Sequence, residues 1–196
     1  MDESRYGSAE RFGRRRVSTQ DFRMTASTLH VPEKPALSRY ARLAVAILPV
    51  LLTSVLGGMA TGPNIEGWYA GLAKPSFNPP NWAFPVAWTI LYTLIAFSAW
   101  RLLGAQPRTG PSREGWRLAV IAFAVQLALN AVWTPVFFAA HALGAAVIVA
   151  AAMFVMILWT IRLTWRFDRL AAGVLVPYAV WVGFATILTT AIWRLN

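Results

Sequence analysis

The sequence contains no cysteine, and only 13% of its 196 residues carry a charged side chain. Without cysteine the chain forms no disulfide bond, offers no thiolate nucleophile and holds no cysteine-ligated zinc or iron–sulfur cluster. The charged fraction is about half that of a typical soluble domain. Because 57% of the residues are hydrophobic, more than a chain of this size can hide in its interior, the composition predicts a protein partly solvated by lipid.

Acidic side chains are also scarce, with 8 Asp and Glu against 18 Lys and Arg. Between residues 43 and 100 the only acidic or basic side chains are Glu66 and Lys74, whereas proton relays and ion-coupled carriers need charges inside the membrane. The sequence has no Ser/His/Asp grouping, close acid pair or glycine-rich phosphate loop, so no catalytic residue is assigned. His30 and His141 lack partners at ligand spacing, and no metal site is predicted.

The basic residues are concentrated at the start of the chain. Nine of the 18 lie within the first 42 positions, and most of the others flank long apolar runs. This pattern orients membrane proteins and is not typical of a phosphate-binding surface, so nucleic acid is not an expected partner. Residues 1–40 are polar and lack apolar periodicity, which predicts a disordered basic arm before a membrane domain at 41–196.

Five apolar runs follow the arm, at about 42–61, 83–103, 116–138, 142–163 and 170–192. Each has roughly the 20 residues that a helix needs to cross about 30 Å of hydrocarbon. Because lipid offers no partner to backbone amides, the runs predict an all-α, five-transmembrane-helix bundle in the lipid bilayer. The first loop, roughly 62–82, is rich in proline, glycine and asparagine and is expected to form a structured cap.

The distribution of charge predicts the orientation of the bundle. With five crossings, 16 basic residues fall on the side of the N-terminal arm, and only Lys74 and Arg194 fall on the other. By the positive-inside rule the N-terminus is cytoplasmic and the C-terminus lies outside.

Aromatic and amide side chains recur at helical spacing in three of the spans. Gln126, Asn130, Trp133 and Phe137 share one face of the third span, which we expect to look into the bundle because amides are costly against lipid. The second and fifth spans add the faces Trp88 with Tyr92 and Tyr178 with Trp181, Ala185 and Leu188. These faces fit either the walls of a site for a large flat ligand or helix-to-helix packing and hydrogen bonding, and the spacing alone leaves both open.

Several motifs, in order along residues 42–196, resemble the TspO/MBR family of tryptophan-rich sensory proteins and translocator proteins. They comprise Trp68-Tyr69, Lys74-Pro75, Asn78-Pro79-Pro80, Phe84-Pro85, Trp88-Thr89 to Tyr92, Gln126 to Asn130, Trp133-Thr134-Pro135, Phe137-Phe138, Pro177-Tyr178, Trp181, Phe184-Ala185 and Trp193 to Asn196.

The resemblance implies a five-helix membrane protein, often a homodimer, that binds porphyrins and other tetrapyrroles, sterols and benzodiazepine-type drugs beneath the first loop. It implies no required cofactor, since porphyrin or haem would be the ligand. Carried over position by position, the ligand-binding residues would be Trp68, Tyr69, Phe84, Trp88, Tyr92, Gln126, Asn130, Trp181, Ala185 and Leu188.

Three positions depart from the family pattern. Phe77 stands where the family commonly has a tryptophan in its cap, and Thr189 replaces the usual asparagine after Leu188. Thr190 stands where animal members place the tyrosine of their sterol motif. This last difference argues against sterol recognition at this helix end.

Three functional hypotheses remain from the sequence. The first is a membrane sensor or transporter of tetrapyrroles that regulates pigment or stress responses, in a bacterial cell membrane or, in a eukaryote, an organellar one. The second is an enzyme that degrades porphyrins with the help of pocket tryptophans. The third is an interaction scaffold whose partner binds the basic arm.

Overall fold

Residues 38–107 and 111–196 are described by a computed structural model, and the regular structure in these ranges is entirely helical. The helices are α1 (Arg39–Thr61), α2 (Ala83–Gly104), α3 (Pro111–Thr134), α4 (Leu143–Thr164), α5 (Arg169–Gly173) and α6 (Val176–Leu195). The predicted arm lies outside the described residues except for its last three, of which Arg39 and Tyr40 already belong to α1.

Within the described residues, five stretches are long and apolar enough to cross a membrane: Arg39–Tyr69, Ala83–Gly104, Ser112–Ala139, Leu143–Thr164 and Arg169–Leu195. They contain the five predicted runs nearly in full, so the all-α, five-span prediction is confirmed. The N-in, C-out orientation stays a prediction. We therefore name the two ends of the bundle by their residues: the cap end carries residues 62–82 and 139–142, and the basic end carries Ser38 and residues 164–169.

The prolines within the spans are accommodated by their positions. Pro85 and Pro177 fall in the first turns of α2 and α6, where the backbone N–H that proline lacks has no helical partner. Pro135 begins a wider π-helical turn, Pro135–Ala139, that extends α3. Pro49 alone of these lies in a helix interior, within α1.

The first loop begins later than the sequence predicts. Instead of ending at residue 61, the first span continues through a 3₁₀ turn at Gly62–Asn64 and a π turn at Ile65–Tyr69. Pro63 removes one helical hydrogen bond, but the chain changes its turn width and stays helical. The Asn64 side chain also donates to the Ala60 carbonyl oxygen at 2.9 Å. Trp68 and Tyr69 are therefore held by the end of a helix, and the loop itself is shortened to 70–82.

The helices form a ring in the order α1, α2, α6, α4, α3. α3 packs closely on α4, α4 on α6, and α1 on both α2 and α3, whereas α2 and α6 approach each other at few positions. The connection between α3 and α4 is only a few residues long, and the two helices are antiparallel neighbours. α5 fills the basic end between α2 and α4.

A polar link ties the basic end together. Asp168 precedes α5, and its Oδ1 accepts a hydrogen bond from the Ala171 N–H at 2.9 Å. Its Oδ2 accepts from Arg101 Nε at 2.8 Å, and the buried Ser98 hydroxyl donates to the Ala171 carbonyl oxygen at 2.7 Å. Burial acts to raise the pKa of the Asp168 carboxyl, but the Ala171 N–H and the Arg101 charge outweigh it and hold that pKa below its ordinary value.

We expect Asp168→Ala to lower the midpoint of thermal unfolding, because it removes both a helix cap and an ion pair that are together worth about 1–2 kcal/mol. Asp168→Asn keeps the cap and should lose less. Since the carboxyl pKa is lower in the folded chain, its contribution is present at neutral pH and disappears as the pH falls below about 4. Melting curves in detergent at neutral and acid pH check this, and equal midpoints for the two variants and the parent at pH 7 would contradict it.

Candidate functional site

An aromatic cavity of about 360 Å³ lies between α1, α2, α3 and α6 near the cap end. Its wall is mostly apolar, and α4 contributes none of its lining residues. Seven of the ten residues that the sequence singles out lie in this wall: Tyr69, Phe84, Trp88, Tyr92, Trp181, Ala185 and Leu188. The other three, Trp68, Gln126 and Asn130, lie outside it.

Paired rings build the walls. On α2, Trp88 stacks on Tyr92 one turn away, with ring centroids 5.1 Å apart and planes 29° apart. On the α3 side, Trp133 stacks on Phe137 at 5.2 Å and 17°. Across the gap between α2 and α6, Phe84 meets Trp181 edge to face at 6.0 Å. Rings thus fill the space that separates α2 from α6, and several flat faces surround the cavity.

A chain of hydrogen bonds crosses the bundle beside the cavity. The Tyr92 hydroxyl donates to Asn130 Oδ1 at 3.1 Å, and Asn130 Nδ2 donates to the Tyr178 hydroxyl oxygen at 2.9 Å. The Tyr178 hydroxyl in turn donates to the Met153 sulfur at 3.5 Å. This polar chain, Tyr92–Asn130–Tyr178–Met153, joins α2, α3, α6 and α4. Asn130 is 2% exposed, so the predicted inward orientation of its face is confirmed.

Three tryptophans lie about one helical turn from the polar chain, on the side of the cap end. α2 and α6 run in opposite directions, so Trp88, four residues before Tyr92, and Trp181, three residues after Tyr178, both lie about one turn nearer the cap end. Trp133 follows Asn130 by three residues on α3 and shares that level. Three indoles from three helices therefore line the cavity just above the hydrogen-bonded residues.

Gln126 lies one turn from Asn130 towards the basic end and is 1% exposed. Neither atom of its amide group has a hydrogen-bond partner among the described residues. The prediction that it faces the bundle is confirmed, but it is separated from the cavity, and its predicted role as a ligand contact stays a prediction.

Trp68 closes the cap end from outside the cavity. It stacks on His141 with centroids 4.1 Å apart and planes 13° apart, and it meets Phe137 edge to face at 5.5 Å. His141 adopts a positive φ of 53°, a conformation that the short connection between α3 and α4 imposes. Its Nε2 lies 3.3 Å from Asn64 Oδ1. The start of the cap and the α3–α4 connection are thereby joined.

The cap loop, residues 70–82, is held by polar contacts that involve residues 70–78. The Lys74 ammonium lies 4.6 Å from the centre of the Tyr69 ring and donates to two backbone carbonyl oxygens of the loop at 3.2 Å. The Tyr69 hydroxyl donates to Asn78 Oδ1 at 3.0 Å. Asn196, after α6, accepts from the Ala73 N–H at 3.0 Å and donates to the Ala73 carbonyl oxygen at 3.1 Å. Phe77, in the place of the family tryptophan, meets Phe184 at 6.4 Å.

The sequence reasoning missed the contribution of α1 to the cavity wall. Ser54, Gly57, Gly58 and Thr61 line it, and a Cβ built on Gly58 meets nothing within 4 Å. The Gly57-Gly58 pair was the available signal, since adjacent glycines in a helix leave room beside them. Further lining residues from α3, its π turn and α6 are not among the ten predicted ligand contacts: Trp133, Thr134, Phe137, Phe138, Thr189 and Ile192.

We expect Tyr92→Phe to destabilise the bundle, because it removes the donor that satisfies buried Asn130 Oδ1. An unsatisfied buried acceptor costs about 1–3 kcal/mol, so the midpoint of thermal unfolding in detergent should fall. Tyr40→Phe, at a tyrosine that is 81% exposed, is the matched control and should melt like the parent. If both variants melted alike, the polar chain would not stabilise the fold.

We expect Asn196→Ala to loosen the cap loop, because the Ala73 amide loses its acceptor. Hydrogen exchange at Ala73 should then be faster than in the parent, as it is for amides freed from a structural hydrogen bond. Asn196→Asp keeps the Oδ1 acceptor and should preserve protection at Ala73. Unchanged exchange in the alanine variant would show that other contacts hold the loop.

Comparisons with known proteins match the sequence of this chain to one family. The family model described as TspO/MBR family matches residues 45–194. Protein CrtK of Rhodobacter capsulatus is 41% identical over 129 residues, which is 66% of this chain and 78% of that protein. The tryptophan-rich sensory protein of Cereibacter sphaeroides is 38% identical over 131 residues (67% and 78%), and the translocator protein of Sus scrofa is 37% identical over 162 residues (74% and 86%). With its five membrane-spanning stretches, the chain is a multi-pass membrane protein that belongs to the TspO/MBR family.

Proposed function

We propose that the chain binds a planar tetrapyrrole, porphyrin or haem, in the aromatic cavity and acts as a membrane sensor or transporter of that ligand. The observation that carries the proposal is that three tryptophans, Trp88, Trp133 and Trp181, lie at the same height in the bundle around one cavity. Indole faces are the largest flat and polarisable surfaces that a protein offers, and a tetrapyrrole ring is flat, apolar at its centre and polar at its edge.

The size and chemistry of the cavity support a ligand of this kind. Its volume of about 360 Å³ lies within the range of roughly 300–1,000 Å³ for small-molecule sites. Among the described residues, the wall holds no acidic or basic side chain, so affinity would come from stacking and from burial of apolar surface. Related proteins are named tryptophan-rich sensory protein and translocator protein. Both names agree with a role in detecting or moving a ligand.

Under this proposal, a few polar groups near the cavity would orient the edge of the ligand. The indole N–H of Trp133 is buried and has no acceptor in the described chain, and the hydroxyl side chains Ser54, Thr61, Thr134 and Thr189 lie in the wall with it. A buried donor without a partner favours a ligand with an oxygen acceptor at its rim, because that bond removes the cost of the unpaired group.

The cap loop would control access to the cavity. It is joined to Tyr69, which lines the cavity, by one hydrogen bond and to Asn196 by two, all between neutral groups. Bonds of this kind are individually weak in net free energy, about 1 kcal/mol each, so the loop can open without unfolding the helices. Opening at this end would let a ligand enter and leave.

Titration of the purified full chain with protoporphyrin, followed by tryptophan fluorescence, tests the proposal. The double variant Trp88→Ala plus Trp181→Ala should bind at least about tenfold more weakly, because it loses two stacking faces. Gly58→Leu should weaken binding similarly by filling the cavity from α1. Gly62→Leu is its matched control, since a Cβ there also meets nothing within 4 Å but Gly62 does not line the cavity.

Unchanged affinity in both the double variant and Gly58→Leu would place the porphyrin elsewhere and refute the proposal. Absorbance spectra of the same samples, recorded over time in light and in darkness, address the enzymatic alternative. A new product spectrum that the tryptophan variants do not form would indicate porphyrin breakdown, whereas a stable spectrum indicates binding alone.

A further inference from the structure

A second recess lies on the opposite half of the bundle, between α1, α2 and α3. This basic-end groove has a volume of about 340 Å³ and is lined from Val45 to Thr53 on α1, from Ala99 to Leu103 on α2 and from Val120 to Ala131 on α3. It shares no lining residue with the aromatic cavity. The two recesses are therefore separate candidate sites.

The lining of the groove favours a hydrocarbon ligand. Five alanines create the recess, and larger aliphatic side chains and Phe123 form its sides. The one hydroxyl in the lining belongs to Thr53, and it is already satisfied because it donates to the Pro49 carbonyl oxygen at 2.9 Å. The groove offers no polar group to a ligand, so only an apolar chain gains by entering it.

The length of the groove matches one leaflet of a bilayer. Its α3 side runs from Val120 to Ala131, which at 1.5 Å per residue is roughly 16 Å. Half of the bilayer hydrocarbon is about 15 Å. A chain that starts at the headgroup level of the basic end would therefore fill the groove and end near the middle of the membrane.

Arginine side chains lie at the headgroup end of the groove. Arg42 precedes the lining residues Val45, Ala46 and Pro49 by three, four and seven positions, so it lies on the same face of α1. Arg117 precedes the lining residue Val120 by three positions and lies on the same face of α3. Its side chain is exposed. Two cations thus stand where the phosphate of a lipid would lie if its acyl chain occupied the groove.

The Arg42 side chain is partly buried. Its guanidinium packs against Gly104 at the end of α2, where an added Cβ would lie 2.5 Å from Nη1. Its Nε is buried and has no hydrogen-bond partner among residues 38–107 and 111–196. A partly buried guanidinium without an anion is costly, and a phosphate oxygen is the acceptor that best matches its geometry.

We propose that the basic-end groove binds one acyl chain of an anionic phospholipid whose phosphate is held by Arg42, with Arg117 beside it. A second copy of the chain is the less favourable occupant. A parallel two-fold dimer centred on this groove would bring the Arg42 and Arg117 side chains of both copies together, and like charges at an interface oppose association. An anionic lipid in the groove neutralises the same charges.

The experiment is native mass spectrometry of the full chain in mild detergent, with phosphatidylglycerol or phosphatidylcholine of identical acyl chains added. The parent should retain one phosphatidylglycerol in preference to phosphatidylcholine. Arg42→Gln should lose this preference, with phosphatidylglycerol bound roughly fivefold more weakly, as expected for one basic side chain at a lipid headgroup. Arg39→Gln removes an exposed arginine at the start of the same helix and should retain it.

A second pair of variants tests the acyl chain. Ala128→Leu narrows the groove and should weaken retention of both lipids, whereas Ala152→Leu, at an exposed alanine of α4 outside both recesses, should not. Circular dichroism of each variant confirms that it is folded. Equal retention of the two lipids by the parent, or equal losses in Arg42→Gln and Arg39→Gln, would overturn the proposal. So would an Ala128→Leu variant that keeps its lipid but loses a dimer seen in the parent, because the occupant would then be a second copy.

Discussion

The arrangement of the bundle depends on the hydrogen bonds that Asn130 makes to Tyr92 and Tyr178. Helices in a bilayer gain little from burying apolar side chains against each other, since lipid is equally apolar, so directional polar contacts carry more of the specificity. An amide with one tyrosine on each side fixes the rotation of α2, α3 and α6 about their own axes. Because a tryptophan lies one turn away on each helix, the same rotation directs three indoles to the cavity.

Much of this arrangement follows from the sequence. The five spans follow from run length, because apolar stretches of about 20 residues have few alternatives in lipid. The inward faces follow from the spacing of Gln126, Asn130 and Phe137. The contacts of each inward-facing side chain do not follow from the sequence. Periodicity gives the direction of a side chain but not the residues that it contacts. Asn130 meets two tyrosines before it reaches the cavity, and Trp68 meets His141.

Two other features escape sequence reasoning for local reasons. Gly62-Pro63 is a typical helix stop, yet the chain continues by changing from 3₁₀ to π geometry. In this geometry Trp68 and Tyr69 both pack against Phe137, a residue distant in the sequence. The glycines of α1 form part of the cavity wall because they lack side chains. A part of the wall that is formed by glycines, which have no side chain, gives no aromatic or polar signal in the sequence.

α4 lines neither recess, although it packs on both α3 and α6 and carries Met153. It supports the helices that line the two recesses without contributing to either lining. Substitutions on α4 would therefore alter how firmly the bundle is held while leaving the walls of both recesses chemically unchanged.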